Sequence, residues 1–122
     1  MIKLSALGQI ALPVSDADRA EDFYGNKLGL PKLFRFGHSV FFDCGGVRLM
    51  LEGDNKNAGH TEGVCLYFRV TDIEHACDAL QELGVPFDIG PHLIARMPDH
   101  ELWMAFFRDP DRNLLAIMEE KR

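Results

Sequence analysis

Gln9-Ile-Ala-Leu-Pro-Val-Ser-Asp16 returns in its apolar spacing as Cys65-Leu-Tyr-Phe-Arg-Val-Thr-Asp72, 56 residues further along the chain. Each is an apolar run that ends on an aspartate, the pattern of a strand leading into a helix cap. Behind each lies helical apolar spacing: Asp16 to Leu28 through Ala20, Phe23, Tyr24 and Leu28, and Asp72 to Leu83 through Ile73, Ala76, Leu80 and Leu83. Both helices close on glycine with proline soon after, Leu28-Gly29-Leu30-Pro31 and Leu83-Gly84-Val85-Pro86, where a left-handed residue ends the last turn. Thr71 to Glu74 reads as a capping box. Met1 to Val14 is apolar but too short to span a bilayer and lacks the flanks of an export signal, so it reads as the first strand.

Both repeats finish in apolar strands broken by tight turns, Val40 to Glu52 around Gly45-Gly46 and Trp103 to Glu119 around Asp109-Pro110-Asp111. Here Glu52 matches Glu119, an offset of 67, so the second repeat carries extra residues that fall in Pro91 to Glu101. The polar, glycine-rich stretch 53–63 links a module 1–52 to a module 64–122. A chain of 122 residues is one domain in length. A repeat of about 60 residues is marginal alone, so the two sheets are expected to share a core.

Composition narrows the function classes. With 47% hydrophobic and 26% charged residues the chain is neither disordered nor fibrous. A net charge of -6, with lysines and arginines scattered, argues against nucleic acid as partner. Three cysteines, Cys44, Cys65 and Cys77, with no CxxC pair, fit reduced thiols and a cytoplasmic protein.

The duplicated pattern, with Ile10-Ala-Leu-Pro-Val-Ser-Asp16, Phe23-Tyr24, Leu28-Gly29-Leu30 and Asp109 to Asn113, resembles the vicinal oxygen chelate superfamily of glyoxalases, bleomycin-resistance proteins and extradiol dioxygenases. The resemblance covers essentially the whole chain. It implies an α+β fold: two βαβββ modules form an open, curved eight-stranded mixed sheet around a pocket, with helices on the outer face, commonly in a homodimer. It does not fix the reaction.

The resemblance also implies where a metal would sit, on Gln9 and Cys65 at the starts of the two first strands and on Leu49 and Ala116 in the two last strands. Leu49 and Ala116 have no donor atom, and a catalytic zinc typically takes three protein ligands. No metal and no other cofactor is therefore expected. Glu52 and Glu119 would face away from the pocket if residues 49 and 116 face it, because the strand period is two. His38, read as lying in a strand, and His92, read as opening the inserted strand, are the histidines with a chance of reaching the pocket, whereas His100 falls in a turn.

Stepping by two from those positions gives an apolar and aromatic wall. The ligand-contacting residues expected from it are Gln9, Phe42, Leu49, Cys65, Tyr67, Met104, Phe106, Leu114 and Ala116, with Ala11, Val47, Leu51 and Met118 on the same steps. A second rank, of less certain register, is Phe34, Phe36, His38, Arg69, His92 and Trp103. An apolar cleft with a few convergent polar groups suits a small molecule. The leading expectation is a metal-independent binder of a hydrophobic or aromatic ligand, a homodimer with neither nucleic acid nor membrane as partner. The alternatives are a metal-dependent lyase, isomerase or dioxygenase using other donors, and a protein that dimerises or binds a partner through this face without a small ligand.

Overall fold

A computed structural model describes residues 2–122. The chain divides near the linker into two units, one ending at His60 and the other spanning Thr61–Arg122.

The first unit runs β1 (Gln9–Pro13), α1 (Ala17–Glu21) continuing as a π-helical turn (Asp22–Lys27), β2 (Lys32–Phe36), β3 (Ser39–Cys44) and β4 (Val47–Glu52). Its sheet has the order β1-β4-β3-β2, with β1 parallel to β4 and the other pairs antiparallel. The second unit runs β5 (Cys65–Arg69), α2 (Ile73–Glu82), β6 (Phe87–Arg96), β7 (Glu101–Arg108) and β8 (Leu114–Lys121). Its order, β5-β8-β7-β6 with β5 parallel to β8, is the same plan. The βαβββ duplication read from the sequence is thus the fold, as two four-stranded mixed sheets each with its own helix.

Local chemistry sets the element ends. Asp16 Oδ1 accepts from the Arg19 N–H at 3.2 Å, and Asp72 Oδ1 from the His75 N–H at 3.1 Å, so each helix begins on an aspartate that satisfies an otherwise orphaned donor. The cap of α2 is therefore Asp72 rather than the Thr71 of the expected capping box. The Ile73 N–H donates to Glu119 Oε1 at 2.9 Å, tying the helix start to β8. Between β3 and β4, Gly45 and Gly46 have φ of 65° and 99°, the two left-handed positions that a two-residue hairpin of right twist demands. In the β7–β8 turn, Asp109 Oδ1 accepts from the Asp111 and Asn113 N–H groups at 2.9 and 2.8 Å, which leaves Arg112 left-handed at φ 67°.

Three expectations about elements are corrected. The first strand is confined to Gln9–Pro13; Ile2–Gly8 lies outside regular structure, and Met1 lies outside the described residues. The first helix is α-helical only to Glu21, then widens so that the Leu28 N–H bonds the Phe23 carbonyl at 2.9 Å. Two successive aromatic side chains, Phe23 and Tyr24, are both buried on this widened turn. The extra residues of the second module lengthen the β6–β7 hairpin, and His92 lies within β6 instead of opening a separate strand.

The fourth correction decides the site. Register pairs Gln9 with Arg48 and Cys65 with Leu114, so β4 maps onto β8 with an offset of 66, one less than the Glu52–Glu119 match implied. In a strand one residue exchanges the two faces. In the first sheet Val40, Phe42, Leu49 and Leu51 are at most 2% exposed and share a face. That face lies under the helix: the Phe42 ring is 6.4 Å from that of Tyr24, and a Cβ on Gly25 would come within 3.3 Å of it. In the second sheet the helix-side face carries Ala105, Phe107, Leu115 and Ile117, all buried. Each fully buried large apolar side chain on these faces contributes about 1.5–3 kcal/mol.

Candidate functional site

Each sheet has a second face that its own helix leaves uncovered. On the second sheet the register aligns Cys65 with Leu114, Tyr67 with Ala116 and Phe106, and Arg69 with Met118 and Met104. Tyr67 and Phe106 meet edge to face across the intervening strand, ring centroids 6.2 Å apart, over a residue that is only a methyl group, Ala116. His92, the register partner of Met104, holds its ring 6.1 Å from Phe106 and its Nδ1 2.9 Å from the Gly90 carbonyl. Tyr67 remains 49% exposed, an aromatic side chain held in place with half its surface free. Thus Cys65, Tyr67, Arg69, His92, Met104, Phe106, Leu114, Ala116 and Met118 occupy one face, as the strand period led us to expect.

Trp103 takes the other face of β7. It pairs with Glu119, donates its indole N–H to Glu101 Oε1 at 3.1 Å, and stacks under the Lys121 ammonium at 4.5 Å.

On the first sheet the open face carries Gln9, Ala11, Arg48, Met50, Glu52, Phe41, Phe34 and Phe36. The expectation that Phe42 and Leu49 share a face with Gln9 is corrected, and so is that for Val47 and Leu51: the 66-residue offset turns them under α1. Phe34 and Phe36 do lie with Gln9, Phe34 stacked on Phe41 at 4.4 Å. His38 sits in the Gly37-His38 turn between β2 and β3, not in a strand, with its Nε2 3.2 Å from Asp54. Arg48, Met50 and Phe41 were missed from sequence, since the one-residue shift put their neighbours in their place.

The titratable groups on the second face favour hydrogen bonding over nucleophilic chemistry. Burial pushes the Cys65 thiol above its ordinary value, and the opposing pull of the Tyr67 hydrogen bond and the Arg108 guanidinium does not reverse it. A thiol held up this way is protonated at neutral pH and a poor nucleophile. The hydrogen bond to Cys65 raises Tyr67 as well, so the phenol stays protonated.

The possible metal donors are dispersed. Gln9 has Arg48 as its register partner, and its Nε2 is 4.0 Å from Met50 Sδ. Glu52, expected to face away, shares Gln9's face, but four residues along β4 from Gln9's partner is about 13 Å. Glu119 is on the helix side, spent on Ile73. Beside Cys65 and Tyr67 stand Leu114 and Ala116. Among the described residues no three His, Cys, Asp or Glu side chains are grouped to hold a metal. A groove of about 770 Å³, sharing Arg69 and Met118 with the open face of the second sheet, lies at the far end of β5 with Asp72, His75, Glu120 and Arg122, and there the arginines are already paired, Arg69 with Glu120 and Arg122 with Asp99 and Glu120.

Two βαβββ units of one plan, each leaving a sheet face clear of its helix, define the architecture of a known class of metalloenzymes and binding proteins. The chain belongs to the Glyoxalase/Bleomycin resistance protein/Dioxygenase superfamily, whose sequence profile matches residues 6–117. It is 32% identical to the uncharacterized protein YraH of Bacillus subtilis, over 89% of this chain and 94% of that protein. Among solved structures it is similar to a superfamily member from Sphaerobacter thermophilus, at 27% identity and a TM-score of 0.73, covering 96% of this chain and 98% of that one. A lactoylglutathione lyase from Agrobacterium tumefaciens shares the fold at 24% identity and a TM-score of 0.73, covering 96% of this chain and 95% of that one. No helix among the described residues is long and apolar enough to cross a membrane.

Proposed function

We propose that this protein binds a small, partly aromatic molecule on the open face of its second sheet and does so without a resident metal. The observation that carries the reading is the Tyr67–Phe106 pair over Ala116, flanked by Met104, Met118 and Leu114. It offers a flat apolar ligand a ring edge, two polarisable thioethers and a protonated phenol at one place. Apolar contact supplies most of the affinity, and the phenol discriminates, because a buried polar group left unpaired costs about 1 to 3 kcal/mol. The metal centre of the superfamily's metal-using members does not fit the residues present. The β4 residue that the 66-residue offset matches to Ala116 is Met50, which offers only a thioether, and Ala116 has no donor atom, so the two closing strands supply no carboxylate or imidazole at these positions. The protonated Cys65 thiol likewise supports binding over covalent catalysis.

The test uses 2-naphthol as probe. Titration followed by calorimetry should give weak but saturable binding that Tyr67→Phe weakens about tenfold or more while the fold is unchanged. Affinity untouched by that substitution places the ligand elsewhere. Elemental analysis of protein purified without chelator should find no stoichiometric metal; zinc, nickel, iron or manganese that survives dialysis overturns the metal-free reading in favour of a lyase, isomerase or dioxygenase. The same reading takes the protein as a cytoplasmic homodimer, supported by exposed apolar strand residues such as Phe36, 80% exposed. Light scattering then gives twice 13.8 kDa, and a mass of 13.8 kDa removes the dimer.

A further inference from the structure

Arg48 stands on the open face of the first sheet with its guanidinium carbon 6.0 Å from the Phe34 ring centroid and 5.9 Å from that of Phe41. The two rings form a stacked pair, 22° from parallel. Nearly equidistant from two rings that stack on each other, the guanidinium stands beside the stack, within the outer range of cation–π attraction to both. A carboxylate is at hand and is not used. Asp43 is the direct cross-strand partner of Arg48, yet its Oδ1 is turned into the hairpin to accept from the Gly46 N–H at 2.9 Å. Among the described residues no carboxylate lies within ion-pair distance of Arg48, whereas Arg35, Arg69, Arg96, Arg108 and Arg122 each have one within 4 Å.

A second donor is aligned with it. Gln9 is the register partner of Arg48 across the parallel β1–β4 ladder, so the two residues start from neighbouring positions on one face. The Gln9 amide nitrogen has as its only hydrogen-bond acceptor among the described residues the sulfur of Met50, at 4.0 Å, a weak one. Ala11, the next residue on that face of β1, is small and exposed and leaves the space beside the pair open. Two donor-bearing residues at neighbouring positions, one of them charged, suit the two oxygens of a carboxylate, and the Phe34–Phe41 pair beside them suits the flat remainder of an aromatic acid.

We infer that the open face of the first sheet is a recognition point for an aromatic carboxylate, with Arg48 and Gln9 binding the carboxylate and Phe34 and Phe41 its ring system. This rests on the reading that the sheet faces take small molecules, and it names an acid as the class. It stands on residues of the first unit alone, so it succeeds or fails apart from the Tyr67 face.

The experiment compares 2-naphthoate with its neutral analogue 2-naphthamide, using protein labelled at the methionine methyl groups. Met50 reports on this face, and Met104 and Met118 on the other. We expect 2-naphthoate to move the Met50 methyl resonance and to bind there about tenfold more tightly than 2-naphthamide. Arg48→Met should abolish the preference, Arg48→Lys should restore only part of it, and Tyr67→Phe should leave it intact. Equal affinity for acid and amide at Met50, or a preference that survives Arg48→Met, overturns the inference. Shifts confined to Met104 and Met118 with both probes also overturn it, while leaving the earlier reading standing. Loss of those shifts with retention of the Met50 response would do the reverse. The dispersion of the methionine resonances shows in the same spectra whether each variant is folded.

Discussion

The two modules share a strand order and a helix position and differ in what their open faces carry. The first sheet presents charge and amide next to aromatic rings: Arg48, Gln9, Asp43 and Glu52 beside Phe34 and Phe41. The second presents Leu114, Ala116, Met118, Met104, Phe106 and Tyr67, with Arg69 and His92 at its margins. The centres of the helix-side faces, by contrast, are alike: Val40, Phe42, Leu49 and Leu51 in the first sheet and Ala105, Phe107, Leu115 and Ile117 in the second, all sealed from solvent. Folding constrains the covered face of each copy to be apolar and close-packed, and leaves the uncovered face free to take on separate chemistry.

The adjacent pair Phe41 and Phe42 breaks or sharpens that contrast most strongly. Phe42→Ala empties a fully buried site under α1 and is expected to cost about 3–5 kcal/mol in chemical denaturation. Phe41→Ala gives up a ring stacked on the open face and should cost no more than about 1.5 kcal/mol. Equal losses would mean that the two faces of the first sheet are equally covered. A smaller effect is expected at Ala116, where Leu must be fitted between Tyr67 and Phe106. We expect a loss of about 1–3 kcal/mol together with loss of 2-naphthol binding, and unchanged binding would show that the ring pair is not where the probe sits.

The hairpin turns supply a third comparison. In the first module both left-handed positions are glycine, and in the second the left-handed position is Arg112, where a side chain costs about 1 to 2 kcal/mol. Arg112→Gly should raise stability by about 1 kcal/mol, and Gly45→Ala should lower it by a similar amount, read as opposite shifts in denaturation midpoint. The smallest effect is electrostatic. Asp99 is held at about 2, first by its hydrogen bond to His100 and then by Arg122. Because its pKa is depressed on folding, the tie to Arg122 is fully present above the ordinary carboxylate range near pH 4 and is lost as pH falls through about 2. The carboxyl resonance of Asp99 should titrate in that low window, and a midpoint near 4 would show that His100 and Arg122 do not hold it.

The repeat, the strand-to-helix transitions and the two hairpin signals were all legible in sequence, because glycine, proline and aspartate act locally at those points. The facing of the second module was legible too, since Cys65 and Tyr67 anchor it at the start of β5. The facing of the first module was not, because matching Glu52 to Glu119 joins residues on opposite faces: Glu119 caps α2 from the helix side, whereas Glu52 lies with Gln9. The signal that resolves it was present in Val47-Arg-Leu-Met-Leu-Glu52. The set Val47, Leu49 and Leu51 is wholly apolar and the set Arg48, Met50 and Glu52 is mixed, and the wholly apolar set belongs under the helix. The widening of the first helix at Asp22 has no counterpart in apolar spacing, since Phe23 and Tyr24 read equally well as one α-helical face.

The methionines make the central claim directly testable. Met104 and Met118 are register partners on the open face of the second sheet, and Met97 lies beyond the end of β6. In protein labelled at the methionine methyl groups and titrated with 2-naphthol in the presence of EDTA, we expect the Met104 and Met118 resonances to shift together along one saturation curve while Met97 stays in place. Silence at Met104 and Met118, or a response that EDTA removes, would contradict a metal-independent aromatic site on that face.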